Sequence, residues 1–244
     1  MQNKIYIIAD EEVSKDIASS FKKMHIDYAI VTNNLNDFDN FACISLKDFT
    51  LEEKVILLSF KEEEFIKNIY SLKEQTTNNA KAKMLICMNN KLNLARIIDA
   101  KYYLSINFNK ENLSFTSFYS PFDDEEFNNL LNKYFHCNLI RSKSEEELQK
   151  IKNFTNNHIA LLSFVFESTL NAAFSAGLNK DLALKLLKQN STIFNELFCN
   201  FNHPNELKEE LIQNNKIINS LNILEKNNMR YAITQAILNL ENEE

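Results

Sequence analysis

The side chains that could do metal or acid–base chemistry are scattered. The four histidines are His25, His136, His158 and His203; the four cysteines are Cys43, Cys87, Cys137 and Cys199. No cysteines form a CxxC pair and no histidines stand at ligand spacing, so no metal site is expected. The cysteines read as reduced, small apolar residues. His158 belongs to the residue type that titrates near neutral pH, yet no orienting partner can be identified for it. One cluster is dense: Asp10, Glu11 and Glu12 follow directly on the apolar run Lys4 to Ala9. Three acids at a helix start suit the positive end of the helix dipole, as a phosphate would. A capped helix start without a nucleotide is therefore the reading to set against an anion site.

The elements that must carry these residues change character along the chain. Lys4 to Ala9, Ile26 to Val31, Phe41 to Ser45, Val55 to Phe60, Met84 to Met88, Tyr102 to Ile106 and Leu113 to Tyr119 are short, apolar or β-branched runs that predict strands. Cys137 to Ile140 predicts a last short strand. Helical spacing between them, as in Val13, Ile17, Ala18 and Phe21, and again over Glu62 to Leu72, Leu92 to Ile98 and Asp123 to Phe135, predicts an α/β domain with a mostly parallel sheet. After residue 143 the pattern is helix upon helix. Ser144 with Glu147 fits a capping box, Gly177 a C-terminal cap, Asn179 a helix start and Pro204 a first helical position. Ile159 to Ala176 is apolar almost all round, so it should be buried on every side, either within its own domain or by a second copy of the chain.

Composition excludes several classes. The net charge of −6 and the absence of a Lys/Arg block argue against a nucleic-acid or anionic-membrane partner. No apolar run is long enough to span a bilayer, and the N-terminus lacks the features of a secretory signal, so a cytoplasmic location is expected. The 244 residues contain a single glycine, against an average of roughly 7%. Tight backbone approaches to a ligand therefore have almost no glycine to use.

In the C-terminal half, Phe166-Glu167-Ser168-Thr169-Leu170-Asn171-Ala172-Ala173, Ala176-Gly177-Leu178 with Asp181 to Leu184, His203-Pro204-Asn205-Glu206-Leu207-Lys208, and Leu224-Glu225 followed by Tyr231 to Ala236 run in an order and at a spacing that resemble the pyrroline-5-carboxylate reductase family. In the N-terminal half, Lys4 to Ile8 sits where that family has its first strand, and Val55 to Lys61 resembles its "ILAVKP" segment with Lys61 kept. The resemblance implies a Rossmann-like domain over residues 1–143 and an all-α dimerisation domain over 144–244. It implies a homodimer through the C-terminal helices, and reduction of 1-pyrroline-5-carboxylate to proline by NADPH or NADH. The matching cofactor positions are Ala9, Asp10, Glu11, Glu12, Val13, Asn33, Lys61 and Asn109; the substrate positions are His158 and Lys216. No catalytic residue is assigned.

The sequence departs from the family where ligands would sit. The G-x-G-x-x-A/G turn is met by Ala9, Glu11 and Ser14, which puts side-chain bulk and negative charge where a pyrophosphate should lie. Thr32-Asn33-Asn34 lacks a basic residue for a ribose 2′-phosphate. Of "R-x-M-P-N", met by Ser105, Asn107, Phe108 and Asn109, only Asn109 survives. The helix start that reads "GSGPAY" in the family is met by Asn156 to Leu161, which would place His158 at a helix start. "VTSPGGTT" is met by Leu211 to Ile218, where Lys216 could still attract a carboxylate as a point charge. Two readings stand: a reductase with an altered site and weak or no activity, or a catalytically silent dimer that binds a partner or another small molecule.

Overall fold

The computed structural model describes residues 4–59, 81–88, 98–110, 113–135, 139–212 and 215–239. The chain divides into two compact units, Met1–Lys152 and Asn153–Glu244.

The first unit is built on β1 (Ile5–Ala9), α1 (Glu11–Lys23), β2 (Tyr28–Thr32), β3 (Cys43–Ser45), β4 (Val55–Ser59), β5 (Ala82–Met88), β6 (Ala100–Asn109), β7 (Ser114–Tyr119), α2 (Glu125–Tyr134) and β8 (Ile140–Arg141). The eight described strands form one sheet in the order β3-β2-β1-β4-β5-β6-β7-β8. Pairing is parallel from β3 through β6, antiparallel between β6 and β7, and parallel again between β7 and β8. The order in which successive strands are added reverses between β1 and β4, the topological switch point at which doubly wound sheets open a crevice.

The strand sequences explain the layering. Alternate residues of a strand face opposite sides, so a strand covered on both sides must be apolar throughout. In β4, Val55 and Leu57 enter one core with Ile5, Ile7, Ile17 and Phe21, while Ile56 and Leu58 enter the other with Ile8, Leu85 and Ile98. On the first face an aromatic cluster joins α1 to β7: Phe21 lies 5.5 Å from Phe115 and 6.4 Å from Phe135, centroid to centroid. The helices expected at 62–72 and 92–98 fall, save Ile98, outside the described residues.

Scarcity of glycine is absorbed by other residues at the turns. His25, Glu53, Leu113 and Asn228 all have φ between 54° and 56°, at a cost of roughly 1–2 kcal/mol each for a side chain with a Cβ. His25 closes α1: its N–H donates to the Lys22 carbonyl and that of Ile26 to the Phe21 carbonyl. Ile26 is thereby claimed by the helix end, which is why β2 starts at Tyr28 and not at Ile26. Likewise β3 is shorter than the expected run and begins at Cys43. The last described strand is Ile140–Arg141, where pairing to Ser117 and Phe118 is made; of the run expected at 137–140, residues 137 and 138 lie outside the described residues.

The boundary between the units falls inside α3 (Glu145–Ser175). The capping box at its start is present: Ser144 Oγ accepts from Glu147 N–H, and the Glu147 carboxylate returns to Lys143 N–H. At its end, Gly177 (φ 90°) donates to Phe174 and Leu178 to Ala173, the paired bonds of a left-handed cap. The second unit continues with α4 (Lys180–Phe198), α5 (Pro204–Leu211), α6 (Asn215–Lys226) and α7 (Met229–Leu238). Asn179 caps α4 through its side chain, and His203 Nδ1 accepts from Asn205 N–H at the start of α5. The expected burial of Ile159 to Ala176 on every side is not met within the chain: none of these residues is buried, and Phe164 is 67% exposed. Apolar composition sets burial only where a second layer covers it, and among the described residues these side chains stay half-buried or exposed.

Candidate functional site at the carboxyl edge of the sheet

The carboxyl ends of β1 and β4 meet at the switch point, Ala9 opposite Ser59. Asp10 alone separates β1 from α1, and its N–H donates to the Ser59 carbonyl at 3.2 Å. Ser14 is fully buried against the strand; its hydroxyl donates to the Ala9 carbonyl at 3.1 Å and its N–H to the Asp10 carbonyl at 2.8 Å. A small residue is needed where the first helix packs closely on the first strand, and serine fits there. Val13 turns its side chain toward the core. Glu11 and Glu12 are exposed in the first turn.

These acids are engaged by lysines. Glu11 pairs with Lys15 one turn on. Lys110, just past the end of β6, lies 3.9 Å from both Glu12 and Asp16. Leu113, just before β7, is tied to α1 as well, its carbonyl accepting from the Ser20 hydroxyl at 2.6 Å. The ion pairs are solvent-exposed and each is worth about 0–1 kcal/mol. Their consequence is local: Lys15 and Lys110 already face carboxylates.

Other predicted positions are distributed as follows. Asn33 is exposed just past the end of β2, beside Asn34, whose N–H donates to Thr32 Oγ1. Asn109 is buried as the last residue of β6, opposite Ser114. Both lie at the same edge of the sheet as the β1–α1 turn. Lys61 lies outside the described residues. His158 belongs to the second unit and is not at a helix start. It is an exposed residue well inside α3, its ring stacked on Phe154 at 5.7 Å. The helix begins at Glu145 because Ser144 caps it, which leaves His158 without the backbone opening that a helix start offers. Lys216 falls in the first turn of α6.

Polar residues of β6 serve the helix start of α3. Ser105 Oγ donates to Glu145 at 2.7 Å, and Asn107 Nδ2 donates both to Ser117 Oγ and to the Leu148 carbonyl, each at 2.9 Å. Cys87, opposite Ser105, is fully buried; burial pushes its thiol well up, with the Glu145 charge adding to the effect. A thiol held protonated in this way is no nucleophile. Sequence reasoning missed Ser59, Lys110 and the Ser105–Glu145 pair, because all three depend on residues distant in sequence. The Glu11–Lys15 pair could have been found from its i,i+4 spacing. Among the described residues, no group of three or more His, Cys, Asp or Glu side chains is placed to hold a metal, and no helix is long and apolar enough to cross a membrane.

A nicotinamide dinucleotide is the group that this strand order accommodates at its switch point. The turn itself fits it poorly. Ala9 and Ser14 are small enough, but Glu11 and Glu12 present carboxylates and side-chain bulk where backbone amides should meet the pyrophosphate.

Strand order and helical continuation together define a dinucleotide-type α/β sheet followed by an all-helical unit, the fold of pyrroline-5-carboxylate reductases. The chain superposes on the Plasmodium falciparum pyrroline carboxylate reductase, solved with NADP bound, with a TM-score of 0.72 at 15% identity, covering 97% of this chain and 95% of that one. For the 1-pyrroline-5-carboxylate reductase of Streptococcus pyogenes the TM-score is 0.68 at 15% identity, with 96% and 95% covered. An NADH-preferring ketol-acid reductoisomerase from an uncultured archean gives 0.52 at 13% identity, with 99% and 84% covered. No family model and no curated protein matches the sequence.

Proposed function

We propose that this chain is a divergent pyrroline-5-carboxylate reductase homologue, a homodimer through its C-terminal helices, in which NAD(P)H-dependent reduction of 1-pyrroline-5-carboxylate is weak or absent. The full-length likeness in fold supports descent from such reductases. The observation that carries the loss of activity is the β1–α1 turn, where Glu11 and Glu12 occupy the anion position and already hold Lys15 and Lys110. Dimerisation is supported by the apolar surface of α3 to α7. A groove of about 340 Å3 between α3 and α4, lined by Phe166, Leu170, Leu184 and Leu187, is part of that surface. Helices this apolar need a second layer, and a second copy of the chain supplies one.

The test is calorimetric titration of the purified protein with NADH and with NADPH, followed by an assay of pyrroline-5-carboxylate reduction. The expected result is no binding at micromolar cofactor and negligible turnover. Micromolar binding with turnover would make this chain a working reductase and overturn the proposal. The acidic turn favours the companion reading, a silent dimer that binds a partner or another small molecule, which gains weight if the dimer forms and the cofactor does not bind.

A further inference from the structure

The amino edge of the sheet, opposite the switch point, holds a cavity of about 640 Å3 where β1 and β4 begin, within the first unit. Its volume falls within the roughly 300–1,000 Å3 of small-molecule sites. Two lysines (Lys4, Lys54), two glutamates (Glu52, Glu53) and two tyrosines (Tyr6, Tyr134) line it.

Lys54 is held firmly. Its ammonium lies 4.6 Å from the centroid of the Phe49 ring and 5.0 Å from that of Tyr6, and it donates to Thr50 Oγ1 at 3.0 Å. Cation–π contacts of this kind orient an ammonium without neutralising it. Burial holds its proton affinity below that of an ordinary lysine, so a carboxylate brought beside it restores solvation it has lost. The turn is anchored as well: Glu53 N–H donates to the Lys81 carbonyl at 2.9 Å, and the Lys54 carbonyl accepts from Lys83 N–H at 2.8 Å. Among the described residues, Lys4, Glu52, Glu53 and Lys54 make no side-chain ion pair. A purely anionic ligand would meet the two glutamates, and a purely cationic one the two lysines. A molecule carrying both charges satisfies both sets, and the tyrosine rings offer an apolar wall with a polar tip.

We propose that this cavity binds a zwitterionic amino compound, a free amino acid or a short peptide, with its carboxylate toward Lys54 and Lys4 and its ammonium toward Glu52 and Glu53. The site is separate from the crevice at Ala9 and Ser59, and the proposal does not depend on whether a dinucleotide binds there.

The experiment is a ligand-observed NMR titration of the full chain with L-phenylalanine and, in a second arm, with the peptide Phe-Gly-Gly; the tighter of the two identifies the source. The expected result is saturable binding at millimolar concentration or below. N-acetyl-L-phenylalanine and L-phenylalaninamide, each lacking one charge, should bind at least about tenfold more weakly. Lys54→Gln and Glu53→Gln should each weaken binding by about the same factor, with circular dichroism verifying the fold and Lys54→Arg retaining affinity if the glutamine variant is unstable. No saturable binding, equal binding of the blocked analogues, or binding indifferent to both substitutions would overturn the proposal.

Discussion

The sheet unit and the helical unit solve the same problem in opposite ways. In the first, β1, β4 and β5 are covered on both faces, and residues such as Ile5, Phe21, Leu57 and Ile86 have no exposure. In the second, Ala183 and Leu207 are the buried apolar side chains among the described residues, while Phe154, Phe164, Phe194, Ile223 and Tyr231 are each more than half exposed. Helix ends in the second unit are nonetheless well made, with side-chain caps at Asn179 and His203 and a glycine cap at Gly177. Local signals thus fix where helices start and stop, but short helices are marginal in water without packing. A unit with good caps and few buried apolar side chains among its described residues is the one on which the proposed second copy would act.

Two substitutions press on this contrast. Phe21→Ala empties a site bounded by Tyr28, Phe115 and Phe135 and should destabilise the sheet unit by about 3–5 kcal/mol; urea unfolding of the intact chain measures it. A loss below 1 kcal/mol, on the order of a surface change, would mean that the aromatic cluster is not a core. In the helical unit, Phe164→Asp alters a side chain that the single chain leaves exposed. A monomer would register almost nothing. The proposed dimer should lose about 2 kcal/mol or more of association, a roughly thirtyfold rise in dissociation constant, read by analytical ultracentrifugation. An unchanged dimer removes α3 from the interface, and a wild-type monomer removes the dimer.

The same contrast governs what could be read from the sequence. The unbroken apolar run of VILLS in β4, buried on every residue, is the mark of a strand covered on both faces, and the strand–helix succession gives the α/β class. The helix ends at Ser144, Gly177 and Pro204 were legible because each is set by residues close in sequence. Burial of α3 was not legible, since the sequence registers that a face is apolar and not what covers it. The site was half legible. The acids at Asp10 to Glu12 were visible, and so was their conflict with a pyrophosphate. The pairing of Glu12 with Lys110 depends on the end of β6 lying beside α1, a contact no local pattern encodes. His158 invited a chemical role from its residue type alone, and its place inside α3 beside Phe154 withdraws the helix-start setting that suggested it.

At the switch point the comparison sharpens to a single turn. If Glu11 excludes a dinucleotide, then Ala9→Gly with Glu11→Gly should open the backbone and release Lys15 toward a phosphate. Affinity for NADH or NADPH should then rise by about tenfold, near 1.4 kcal/mol, in the same calorimetric titration. No gain would show that side-chain bulk and charge at Glu11 are not the obstacle, and the reason for weak binding would have to be sought along other parts of the crevice, such as Asn33 and Asn109.

The smallest effect expected lies at the start of α2, where the sheet unit uses the same capping logic as the helical unit but ties it to its core. Asp124 accepts from Phe127 N–H at 2.9 Å and from Tyr102 Oη at 3.1 Å. The backbone bond chiefly, and the tyrosine after it, hold its carboxyl below the ordinary value of 3.8, against an opposing contribution from burial. A carboxylate whose folded pKa is depressed stabilises the fold above its unfolded value, and that stabilisation is lost as pH falls from 3.8 through the lower folded value. Glu126, paired with Lys101, is shifted in the same direction, so Asp124 contributes only part of the acid response. Asp124→Asn keeps a capping oxygen and removes the titration. Its urea midpoint should lie below that of wild type near neutral pH and the two should converge as pH falls below about 4, whereas parallel profiles would show that the cap acts through its geometry and not through its charge.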